Sequence, residues 1–82
     1  MGIWTKRAAT EQSISAANYG RARDRAAKLT NDDLITWAET TTMNIGASVA
    51  AYRNSGNPDH LHEALIMNES LHGMLIEMVE RQ

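Results

Sequence analysis

Five residues near the middle of the chain, Asn54-Ser55-Gly56-Asn57-Pro58, constrain the fold more than any other stretch. Glycine offers the left-handed conformation that ends a helix. Proline then suits the first position of a new helix, where its missing N–H has no partner to lose. Asn57 can cap that new helix, and Asp59 falls in its first turn, near the positive end of the helix dipole. Helical periodicity flanks the break on both sides. A link this short forces a reversal, so the sequence predicts a tight antiparallel αα-hairpin with helices over about residues 31–54 and 58–80.

The first arm of the hairpin begins as cleanly as it ends. Thr30 can serve as N-cap, Asp33 stands three residues on in a capping-box-like position, and Asp32 and Asp33 favour the positive helix end. Leu34, Ala38, Thr41, Ile45, Val49 and Tyr52 then recur at spacings of three and four, flanked by Trp37. The second arm is unusual. On a helical wheel its apolar side chains run from Met74, Met67 and Met78 through Leu71, Ala64, Leu75, Leu61 and Val79 to Leu65 and Ile76, an arc of roughly 200°. About half of that serves an ordinary surface helix. One antiparallel neighbour cannot cover it, so either a further helix helps or another chain does.

The only further helix on offer spans about residues 10–28. Its apolar face is thin, made of Ile14, Ala17, Ala22, Ala26 and Leu29. Gly20 interrupts it at a cost of about 1 kcal/mol relative to Ala. The expectation is therefore all-α: three helices in a single helical domain over residues 10–82, the first helix basic and more loosely attached. Residues 1–9 form an arm with Ile3 and Trp4 as its anchors. At 82 residues the domain is small enough for oligomerisation or partner binding to supplement its core.

Charge divides the chain. Lys6, Arg7, Arg21, Arg23, Arg25 and Lys28 against Glu11 and Asp24 leave the first 28 residues at +4; the remainder, with eight acids against Arg53 and Arg81, stands at −6. Arg21, Arg25 and Lys28 share one face, and Arg23 lies elsewhere. That basic face can track phosphates, or dock on Glu63, Glu69, Glu77 and Glu80 of the same or a neighbouring chain, or simply meet solvent. Acid repulsion from the rest of the molecule favours the latter two.

Several residues carry two readings each. Gly46 and Ala50 form a small-xxx-small pair beside Ala47 on a side of the second helix that has no charge from Thr40 to Tyr52. It serves either close packing inside the chain or an interface with another. Met67, Met74 and Met78 are flexible side chains suited to adaptable surfaces, and equally to filling a core. With Trp37, Leu71 and Leu75 these make up the candidate interface. Asn68 and His72 lie one turn apart in the middle of the apolar arc, where a buried polar group needs a partner. They are expected to pair and fix register, as a core Asn does in coiled coils.

Catalysis finds little here. There is no cysteine, no nucleophile elbow and no glycine-rich phosphate loop. Asp32 and Asp33 are explained by helix capping. His60 and His62 point about 200° apart and cannot chelate one ion from a regular helix. No enzyme activity, metal or cofactor is expected. No signal peptide is expected either, and no stretch reaches the ~18 apolar residues of a membrane span.

The run Leu34-Ile35-Thr36-Trp37-Ala38-Glu39, followed by Tyr52-Arg53 and the short turn to Pro58-Asp59, resembles small helical proteins of actinobacteria and their phages. The resemblance covers about residues 30–80 and carries over no catalytic residue. It implies a cytoplasmic or virion-associated accessory protein. The functional expectation is a non-enzymatic protein–protein interaction module that forms a homo-oligomer, most simply a dimer, or docks on a larger protein. The alternative is a small nucleic-acid-associated regulator that uses the basic first helix.

Overall fold

In a computed structural model, residues 17–82 are described. The arm with Ile3 and Trp4, and the beginning of the expected first helix, lie outside the described residues. Among the described residues there are three helices and no strand: α1 over residues 17–26, α2 over Asn31–Ser55 and α3 over Asp59–Glu80.

Each boundary has a local cause. α1 closes through tightening backbone bonds, Lys28 N–H to Arg25 C=O at 3.1 Å and Leu29 N–H to Ala26 C=O at 3.1 Å. Thr30 is extended, and its hydroxyl accepts from the Asp33 N–H at 3.2 Å, so it caps α2. At the far end Gly56 turns left-handed at φ 70°, and its N–H donates to the Tyr52 carbonyl at 2.7 Å. The Asn57 side chain accepts from the Asp59 N–H at 3.0 Å, and Pro58 already has helical torsions. α3 then returns along α2: Arg81, just past its end, donates to the Asn31 side chain at the start of α2, at 2.8 Å.

The core gathers at the end of the molecule where α1 lies. Ala26, Leu34, Ala38 and Met74 are buried together, with Leu29, Trp37, Leu71 and Met78 packed against them. All the buried residues of α2, namely Leu34, Ala38 and Thr41, fall in its first half. Beyond them the hairpin arms are covered only in part.

The described part of α1 is not loosely held, contrary to the expectation drawn from its thin apolar face. Ala22 and Ala26 are buried, and α1 presses on α3 at Gly73. A Cβ on Gly73 would stand 2.9 Å from the Ala22 Cβ and 3.2 Å from both the Arg23 nitrogen and the Tyr19 carbonyl oxygen. Small residues on both helices let the backbones meet, so contact comes from close approach rather than from large side chains. The C-terminal carbonyls of α1 are then capped from across the molecule. The Arg81 guanidinium donates to the carbonyls of Ala26 at 2.9 Å and Leu29 at 2.8 Å, and to Glu77 at 2.9 Å.

Candidate functional site

α3 has three sides. One, with Ala64, Leu71, Met74 and Met78, meets α2. A second, with Gly73 and Glu77, meets α1. The third holds Leu61, Leu65, Asn68, His72, Leu75 and Val79, at alternating spacings of four and three. That is the spacing of a coiled-coil seam. None of the six is buried, and Leu61, Leu75 and Val79 are exposed at 41%, 45% and 68%. The stripe carries no charged side chain. On α2, Ile35, Thr42 and Val49 repeat every seven residues, and all three are exposed.

The expected interface residues therefore separate. Met74 is fully buried, and Trp37, Leu71 and Met78 pack on the core. These four hold the chain together within itself. Leu75 is open. Gly46 and Ala47 are exposed and Ala50 half-buried, with nothing within 4 Å of where a Cβ on Gly46 would sit. The small-residue pair is thus not used for close packing inside the chain. Met67 is half-buried and lines a groove with Asn44, Ala47, Ser48, Glu63 and Ile66.

Asn68 and His72 require a correction. Both are exposed in the single chain, so neither is a buried polar group needing a partner there. The wheel placed them at the centre of the apolar arc, but α2 and α1 cover that arc from one edge and leave its centre outside. Tyr19 of α1 reaches round to His72, with ring centroids 5.2 Å apart and planes at 55°.

The basic face is also rearranged. Arg25 lies over the Trp37 ring, 4.2 Å from its centroid. Arg21 donates to the Asn18 side chain at 2.7 Å. Lys28 is exposed. The ion pairs to α3 come instead from Arg23, the basic residue off that face: it meets Glu80 at 2.7 Å and Glu77 at 4.0 Å. The Glu80 hydrogen bond, opposed by desolvation, raises the Arg23 guanidinium above its ordinary range. The ion pairs between α1 and α3 are thus made by a different arginine from the three expected.

Sequence reasoning missed Gly73, Arg23 and Arg81. Gly73 had no distinguishing signal, because Gly20 and Gly46 also stand within helices and meet nothing within 4 Å. Arg81 had none, because its partners outside α3 lie fifty or more residues away.

Among the described residues no three or more His, Asp or Glu side chains converge to hold a metal ion, and no helix is long and apolar enough to cross a membrane. The His60 Nδ1 lies 3.7 Å from a Glu63 carboxylate oxygen. What the surface offers is an uncharged stripe with an amide and an imidazole at its middle, a shape that suits another helix. No family model, curated protein or solved structure matches this chain.

Proposed function

We propose that the chain is a non-enzymatic interaction module that forms a homodimer through the third side of α3. The carrying observation is the open stripe Leu61, Leu65, Asn68, His72, Leu75 and Val79, spaced as a helix–helix seam and touched among the described helices only by Tyr19 at His72. A symmetric pair would place stripe on stripe, with Ile35 and Val49 at its margin, and bury apolar area on the scale of an added core layer. Asn68 within an otherwise apolar seam would set register, since an amide facing an aliphatic side chain is left unpaired. The resemblance of residues 30–80 to small actinobacterial and phage proteins supports an accessory role in the cytoplasm or in a virion. Nucleic-acid binding has less to rest on, because Arg23 and Arg25 are engaged within the chain.

Sedimentation equilibrium tests this directly. The wild-type chain should weigh as a dimer at tens of micromolar. Leu75→Asp, at an exposed position, should weigh as a folded monomer. A compact, stable wild-type monomer at that concentration would overturn the proposal.

A further inference from the structure

The hairpin carries two open stripes, Leu61 to Val79 on α3 and Ile35, Thr42 and Val49 on α2. On each helix the stripe and the residue that meets α1, Gly73 or Trp37, lie on opposite flanks of the hairpin contact. Both stripes therefore share the face turned away from α1. The α3 stripe has its midpoint at Ser70 and the α2 stripe at Thr42. Across the hairpin Asn31 meets Arg81, Leu34 lines a cleft with Met78, and Asn44 lines another with Met67. Those partners set Thr42 level with Ser70, so the two stripes have one midpoint. We propose that the dyad of the homodimer crosses the face at this level, perpendicular to the helices, so that α3 packs antiparallel on α3 of the second copy and α2 antiparallel on its α2. This rests on the dimer reading and gives it a direction and a central polar pair.

Such a dyad pairs positions equally far from the midpoint. On α3 it sets Leu61 against the second copy's Val79, Leu65 against its Leu75, and Asn68 against its His72. Aliphatic layers then close both ends, and two polar pairs fill the middle. A neutral imidazole carries one donor and one acceptor, and an amide carries both, so each Asn68–His72 pair satisfies itself inside the seam. Tyr19 already stands against the His72 ring from the α1 side. On α2 the same dyad sets Ile35 against Val49 and Thr42 against its own copy. The Thr42 hydroxyl donates to the Ala38 carbonyl at 2.9 Å, so its proton is satisfied within its own helix. Other directions fit less well. A parallel α3 pair would stack His72 on His72 and carry the two α2 stripes to opposite sides, uncovered. A dyad along the hairpin would lay α3 on α2, and Asn68 and His72 would meet only Thr42. The shared midpoint is what a perpendicular dyad requires, and it joins four helices into one bundle.

The chain has no native cysteine, so disulfides read the direction. Leu61→Cys and Val79→Cys, at the exposed ends of the α3 stripe, are prepared separately, mixed under reducing conditions and then oxidised. Mass separates the mixed disulfide from the two homodisulfides. Ile35→Cys and Val49→Cys are treated alike, and each mixture is repeated on Leu75→Asp. Circular dichroism and sedimentation verify the helices and the dimer of each variant beforehand. In the proposed dimer two copies of either α3 variant hold their thiols about 27 Å apart, beyond disulfide reach, while the mixed pair falls on one layer. The mixed disulfide should exceed either homodisulfide about tenfold in both experiments, and Leu75→Asp should return the products to the ratio of random collision. Excess homodisulfides from a sedimenting dimer would make the α3 pair parallel, and random products from a sedimenting dimer would mean that neither stripe meets its own copy. Either overturns the direction and leaves the dimer standing. Variants and wild type that sediment as monomers would remove the dimer reading and this inference with it.

Discussion

Gly73→Ala is the sharpest perturbation of this fold, because two opposing effects meet at one atom. An added methyl would stand 2.9 Å from the Ala22 methyl, with α1 backbone at 3.2 Å behind it. Carbon atoms pack at about 3.5–4.0 Å, so α1 would have to withdraw by roughly 0.6–1 Å. Ala22 is a rigid stub and the other neighbours are backbone, so no flexible side chain can give way. Overpacking of this kind costs about 1–3 kcal/mol, against a helix-propensity gain of about 0.5–1 kcal/mol. The net expectation is a loss of about 1 kcal/mol. Gly46→Ala and Gly20→Ala are the controls: nothing lies within 4 Å of either Cβ position, so only the propensity gain remains. Gly73 and Gly46 variants should then differ by about 2 kcal/mol, or about 8–16 °C in melting temperature for a domain this size. Thermal denaturation followed by circular dichroism reads the difference, with the mass checked for each variant. If Gly73→Ala rises in Tm as far as Gly46→Ala does, α1 is not seated on α3 at this point, and the account of how the first helix is held is wrong.

Arg81→Met removes the cap on the α1 carbonyls while keeping much of the aliphatic stem; it should cost about 2–3 kcal/mol in chemical denaturation, and an unchanged midpoint would count against the clasp. Arg25→Gln should cost only about 0.5–1 kcal/mol, the range of a partly exposed cation–π contact, and a blue or red shift of Trp37 fluorescence should report the lost guanidinium. Hydrogen exchange over residues 17–26 should match the first half of α2 and barely respond to salt, since close packing and not charge holds α1; selective loss of protection at high salt would reverse that ranking. Asn68→Leu should hold or raise thermal stability while broadening the distribution of oligomers in sedimentation velocity, whereas a large loss of stability with the oligomer intact would remove Asn68 from the register role.

What the sequence made legible was mostly local. Thr30, Gly56, Asn57 and Pro58 act through neighbours two to four residues away, and their roles can be read from chemistry alone. The extent of the apolar arc on α3 was equally plain, and so was the need for more than one neighbour. What periodicity could not supply was direction. The wheel gives the width of an apolar arc but not which part each neighbour covers, so Met74 was left open between core and interface and Asn68 read as buried, whereas in the single chain Met74 is buried and Asn68 exposed. Nor could composition rank α1 correctly. Its few aliphatic side chains suggested weak attachment, whereas the Ala22–Gly73 contact works by the absence of side chains. Arg23 was set aside for lying off the basic face, and that displacement is what aims it at Glu80.

Arg81 has a consequence for how the molecule comes apart. Its bonds tie the last turn of α3 to the joint between the first two helices, so residues 26–81 form a ring closed by a non-covalent clasp. The entropy of closing that ring is spent once, for all its contacts together. A helix terminus ordinarily frays alone. Here the fraying of the final turn also uncaps the α1 carbonyls, so the last turns of α1 and α3 should open at a common rate.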